Sequence, residues 1–286
     1  MACMDRRQLP DELEQWVVRQ AVAGADPEDV LRPLREAGWD EQDAVDAVQE
    51  AVARFLERRS QEAGLPLPCP VPVPIGINGP SVLDAGDREV HVLMSLMLPR
   101  VVVFGGLLSD EECDALVELS RPGLRRSTTV DMRTGGDQVH ADRTSRGTFF
   151  TRGENALCRR IEARIARLLD WPLENGEGLQ VLHYPPGAEY RPHYDYFDPA
   201  EPGGEVLLRR GGQRVATLVM YLNTPRRGGA TSFPDARLEV AAVKGNAVFF
   251  SYDRAHPMTR TLHAGAPVVE GEKWIATKWL RERRHD

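Results

Sequence analysis

The sequence predicts a mainly β domain, an antiparallel sandwich or barrel with flanking helices, behind a small helical module. Three observations lead there. From Leu179 onward, short β-prone runs at 179–184, 214–222, 237–243, 246–251 and 273–280 alternate with turn residues. Two longer helical patterns precede them, and three short amphipathic helices with an acidic balance open the chain. A length of 286 residues with 42% hydrophobic content suits one large domain with an appendage.

The opening module spans residues 1–63. Leu13, Trp16, Val17 and Ala21 fall at helical spacing. A second helix starts at Asp26-Pro27, an N-cap followed by proline in the first helical position, buries Val30, Leu31 and Leu34, and stops at Gly38. Asp40 caps a third, whose Val45, Val48, Val52 and Phe55 line one side. Residues 64–80 (GLPLPCPVPVPIGINGP) read as a linker, because repeated proline removes backbone donors and favours extended chain. The domain at 81–286 then begins with a β-prone stretch, 101–104. A helix follows from the capping box Ser109-x-x-Glu112 to about residue 121, and another runs over 154–171 with Ile161, Ile165, Leu168 and Leu169 as its apolar stripe.

Net charge is −7, and residues 1–64 hold 8 Lys+Arg against 15 Asp+Glu, so the whole imbalance lies in the module and the remaining 28 of each sign cancel. Such a balance argues against a nucleic-acid partner and makes a basic protein the expected partner of the module. No apolar run approaches the roughly 20 residues of a membrane helix, and the N-terminus lacks a secretory apolar segment, so a cytoplasmic protein with no membrane association is expected. The four cysteines, Cys3, Cys69, Cys113 and Cys158, are far apart and read as reduced thiols.

A non-haem iron(II) site that activates oxygen needs two histidines and one carboxylate on one face of the metal, with the other positions open. His193 and Asp195 have that spacing, since residues i and i+2 of an extended strand point the same way. With 7 histidines and 43 acids in 286 residues, about one His-x-acid pair is expected by chance, and the chain has a second, His140-Ala-Asp142, in a polar glycine-bearing stretch that reads as a solvated loop.

What separates the two pairs is a resemblance to the catalytic domain of prolyl 4-hydroxylases. It spans about 99–281 and rests on four blocks in order: RTSRGTFF (143–150), QVLHYPPGAEYRPHYDYF (180–197), GGQRVATLVMYLNTPRRGGATSFP (211–234) and TLHAGAPVVEGEKWIATKWLRER (261–283). The resemblance implies a double-stranded β-helix, a jelly-roll barrel. It makes His193, Asp195 and His263 the iron ligands, with His256, in a turn-like DRAHPM segment, as the rival to His263. 2-Oxoglutarate is a dianion whose distal carboxylate, once buried, requires a cation. Lys273 is the candidate, and the resemblance adds Tyr184 and Thr231 as neutral donors to the same carboxylate. It also implies Arg214, Tyr190 and Trp279 around the substrate, with Arg214 donating to a substrate carbonyl, and a mobile flap at Met132 to Asp142.

The implied reaction is the iron(II)- and 2-oxoglutarate-dependent hydroxylation of a peptide or protein proline by O2. Succinate and CO2 are the coproducts and L-ascorbate the reductant, in a bacterial-type enzyme that is a monomer or homodimer. The block after His263 has no cysteine (HAGAPV), which points away from secretory collagen hydroxylases. Two alternatives stand beside it: a hydroxylase of a free amino acid or other small molecule, and a non-catalytic metal-binding or interaction scaffold, the latter disfavoured by three retained ligands plus Lys273.

Overall fold

The computed structural model describes residues 9–76, 79–126, 129–130, 137–138 and 144–285. The expected flap falls outside them apart from the backbone of Asp137–Gln138, as do His140 and Asp142. The chain divides into two compact units, Met1–Pro68 and Cys69–Asp286.

The first unit is three helices, α1 (Asp11–Val22), α2 (Pro27–Glu36) and α3 (Glu41–Ala63). The carboxylates of Asp26 and Asp40 each accept from a backbone N–H two residues on, satisfying a donor that the first helical turn leaves free. The buried stripe of α3 is Ala44, Ala47 and Ala51, with Val48 and Val52 only half-buried beside it. That differs from the expected valine face. Small alanines let α1, through Val17, approach the helix closely, which pushes the valines to the flanks.

The second unit begins earlier than residue 81. Cys69 N–H donates to Asp253 O at 2.7 Å, Ile75 is buried, and Cys69 and Val71 pack against the same core. Apolar residues interleaved with the prolines therefore bind residues 69–75 to this unit, and the expected free linker is shorter by that much.

A nine-stranded antiparallel sheet runs in the order Val82–Asp84, Glu89–Leu96, Arg100–Gly105, Ala247–Ser251, Arg214–Tyr221, Lys273–Arg281, Gly176–Tyr184, Arg146–Phe150, Arg125–Arg126. A four-stranded sheet, Leu238–Val240, Thr231–Phe233, His263–Gly265, Tyr190–His193, closes the other side, giving the jelly-roll arrangement. The central strands are buried on both faces. Leu179, Val181, Leu218, Met220, Trp274 and Ala276 pack outward with helices α4 (Asp110–Ser120) and α5 (Ala156–Leu169), while Leu182, Tyr184, Val219, Tyr221 and Ile275 pack inward. This explains why these strands read as unbroken apolar runs instead of an alternation.

The Ser109 capping box opens α4 with both reciprocal hydrogen bonds present. Helix α5 starts at Ala156, two residues after the expected start, because the Asn155 side chain accepts from Cys158 N–H and is the cap. A buried pair, Lys278 Nζ to Glu162 at 2.7 Å, fastens α5 to the sheet. Cys113 and Cys158 are free thiols within the outer core, consistent with small buried hydrophobes.

Candidate active site

One pocket on the inner face of the large sheet is lined by residues from six strands, among them Tyr184, Tyr190, His193, Thr217, Thr231, His263, Lys273 and Trp279, together with Asp195. Inward positions alternate along Lys273–Arg281, so Lys273, Ile275, Thr277 and Trp279 all reach it. His193 and His263 are directly opposite one another across two antiparallel strands. Asp195 lies just past the end of Tyr190–His193 rather than within it, so the strand geometry inferred for the pair holds only for its first member.

The side chains of His193, Asp195 and His263 present one ligand atom each within 4.8 Å of one another, the only such cluster among the described residues. Nε2 of His193 is 3.6 Å from one Asp195 oxygen, and Nε2 of His263 is 3.5 Å from the other. Each ring turns Nδ1 to a backbone carbonyl, His193 to Arg191 O at 2.8 Å and His263 to Thr261 O at 3.0 Å. A carbonyl only accepts, so Nδ1 carries the proton and Nε2 keeps a lone pair facing its neighbours. Tyr190 stacks on His193 at 3.7 Å, and Phe250 lies 4.5 Å from His263, which limits ring rotation. Burial alone would raise the Asp195 carboxyl, yet positive charge at the His263 and His193 positions, as when the rings are protonated, lowers it below the usual range. Three such donors suit a divalent iron-type ion. His256 sits elsewhere: its Nδ1 accepts from Met258 N–H and caps a short turn.

Deeper in the pocket, Lys273 is 2% exposed and pairs with no carboxylate among the described residues. Its Nζ lies over the rings of Tyr184 and Tyr221 at 5.6 and 5.9 Å. Burial pushes its ammonium down to about 8. A buried cation with no counter-charge is costly unless an anion joins it, which fits a dicarboxylate entering from the metal side. Thr231 is buried beside it and accepts from the Tyr221 hydroxyl at 2.8 Å, leaving its own proton to donate.

The 2OG-Fe(II) oxygenase superfamily matches residues 179–281. Prolyl 4-hydroxylase 5 of Arabidopsis thaliana is 42% identical over 216 residues, covering 68% of this chain and 72% of that protein. The probable prolyl 4-hydroxylase 10 of the same plant is 41% identical over 205 residues, with 64% and 69% covered. A viral collagen prolyl hydroxylase from Paramecium bursaria Chlorella virus-1, solved with 2OG, is 34% identical with a TM-score of 0.49, covering 63% of this chain and 95% of that one. The chain belongs to the prolyl 4-hydroxylase family of 2OG-Fe(II) oxygenases. It is a 2-oxoglutarate-dependent dioxygenase.

For a prolyl 4-hydroxylase relative, the surroundings of Arg214 are informative. Its guanidinium does not line the pocket, as a direct donor to substrate would. Nε and Nη2 donate to the two oxygens of Glu177 at 2.7 and 2.9 Å, and the group stacks on Trp279 at 4.1 Å. Arg281 donates to the same carboxylate at 3.0 Å. Burial opposes ionisation of Glu177, and the two arginines override it and hold its carboxyl below the usual range. Reading residue types one at a time does not reveal Glu177, because its role depends on strand register. Removing it strands two buried cations, so Glu177→Ala is expected to cost about 3–5 kcal/mol of stability in denaturant titrations. Glu177→Gln, which keeps hydrogen-bond acceptance, should cost less.

Two more residues escape the sequence reading, Thr217 and Tyr252. Their signal is faint: a lone hydroxyl inside the apolar run VATLVMY, and a tyrosine just after the run AVFFS.

Proposed function

We propose that this protein hydroxylates a proline within a peptide or protein, with iron(II) held by His193, Asp195 and His263. The observation that carries the reading is the pairing, in one pocket, of a His-Asp-His cluster with a buried, uncompensated lysine. When bound, iron(II) and 2-oxoglutarate supply the oxidation: O2 gives one oxygen atom to the new hydroxyl and one to succinate as CO2 leaves. The chain's own groups do the rest. Lys273 neutralises the distal carboxylate, Thr231 donates to it, and the Tyr184 ring walls the same end of the pocket. Tyr190 and Trp279 offer flat apolar faces suited to a pyrrolidine ring. Arg214, held by Glu177, fixes the Trp279 face from behind. L-Ascorbate is the proposed reductant for turnovers in which iron is over-oxidised. The test is mass spectrometry of proline-containing peptides after incubation with iron(II), ascorbate and 2-oxoglutarate. Added oxygen on proline supports the reading, and oxidation confined to free amino acids refutes it.

We further propose that the acidic module recruits a basic protein partner, since the whole −7 balance lies in residues 1–64. Deleting the module should leave a folded second unit that turns over short peptides but handles an intact protein target less well. The difference should shrink as salt rises, because recruitment between exposed charges is screened. Loss of peptide turnover on truncation would show that the module is needed by the catalytic unit itself.

A further inference from the structure

We infer that Thr217 and Tyr252 form a hydrogen-bonded positioning relay that holds Asp195 to a single free oxygen, so that it serves as a one-point ligand. This rests on the assignment of Asp195 to iron. The Thr217 hydroxyl donates to Asp195 Oδ2 at 2.7 Å, and the Tyr252 hydroxyl lies 2.9 Å from the Thr217 oxygen. An ionised carboxylate only accepts, so the single Thr217 proton is spent on Asp195. The Tyr252 hydroxyl must then be the donor to Thr217, which fixes the direction of the chain from Tyr252 through Thr217 to Asp195. Thr217 and Tyr252 are 0% and 1% exposed, so water does not compete for these bonds.

The relay joins unlike parts of the fold. Thr217 stands in the middle of the large sheet, between Phe250 and Trp279 on the neighbouring strands, and Tyr252 N–H donates to Val215 O at 2.9 Å. Asp195 sits past the end of its strand, where no ladder fixes its backbone. The two histidines each have a backbone carbonyl to set their rings. Asp195 has this relay in their place. Oδ2 already accepts from Thr217, so Oδ1, 3.6 Å from His193 Nε2, is the oxygen that keeps both lone pairs for a metal. A carboxylate free to turn would bind through both oxygens and take a position that 2-oxoglutarate or oxygen needs.

The full chain and its Thr217→Val, Thr217→Ser and Tyr252→Phe variants test this by three readouts. These are affinity for Co(II) by titration, the visible absorption of the anaerobic protein with iron(II) and 2-oxoglutarate, and the ratio of succinate formed to peptide hydroxylated. Thr217→Val preserves shape and is expected to lose about 10–100-fold in metal affinity. It should also shift the absorption band and make succinate without matching hydroxylation. Thr217→Ser should restore all three and Tyr252→Phe should fall between. A folded Thr217→Val with wild-type metal affinity, band and coupling overturns the relay while the iron assignment stands. If Thr217→Val fails to fold, a Tyr252→Phe variant indistinguishable from wild type overturns it equally. A wild-type protein that binds neither Co(II) nor iron(II) overturns the iron assignment and the relay with it.

Discussion

Alanine at His193, Asp195 or His263 is expected to reduce 2-oxoglutarate turnover to background, while His256→Ala keeps most of it. The three ligand atoms converge within 4.8 Å, and His256 spends its Nδ1 on a backbone N–H of its own turn. His140→Ala and Asp142→Ala are expected from the sequence to be tolerated as well. Succinate release measured with each purified variant checks the set. An inactive His256 variant beside an active, iron-binding His263 variant would reverse the assignment.

Lys273→Met should sharply raise the 2-oxoglutarate concentration needed for turnover and leave iron affinity near wild type, because the role proposed for the cation is at the distal carboxylate and Lys273 is not one of the three clustered ligands. The same change should make the protein more stable. The buried ammonium titrates at about 8 where an exposed lysine titrates at 10.5, a gap worth about 3 kcal/mol at neutral pH. The sign follows from proton counting. Between those values the unfolded chain binds more protons than the folded one, so wild-type stability rises with pH across about 8 to 10.5. Below 8 the full cost is present. Lys273→Met removes that cost, so its advantage in melting experiments should be largest near neutral pH and fade above 8. Binding of 2-oxoglutarate should show the converse, weakening as pH climbs past about 8 and the free lysine loses its charge. Equal loss of iron and 2-oxoglutarate affinity would instead give Lys273 a structural role.

Much of the site is legible in the sequence because it is carried by local spacing and by types that leave few alternatives. His193 and Asp195 are two residues apart, and Lys273 with Trp279 share a strand face by even spacing. Helix caps such as Asp26, Asp40 and Ser109 are likewise local, and their side chains make the expected bonds. What escaped depends on register between distant strands. Glu177 meets Arg214 and Arg281, and Thr217 meets Tyr252 and Asp195, only after the sheet has formed. Short strands such as Thr231–Phe233 and His263–Gly265 also carry too few residues to show a period of two, although they place four pocket residues. The module's alanine stripe was hidden for another reason: alanine contributes little to an apolar pattern, yet close helix contact selects it.

The central claim is coupled hydroxylation of peptidyl proline in the pocket of His193, Asp195, His263 and Lys273. Its most direct test is to incubate the enzyme with a proline-containing peptide, iron(II), ascorbate, 2-oxoglutarate and isotopically labelled oxygen, then to measure succinate and map the label by fragmentation. One labelled oxygen on a proline for each succinate formed, absent with Asp195→Ala, is the predicted result. Succinate that forms only with a free amino acid or small molecule, leaving every peptide proline unlabelled, would contradict it.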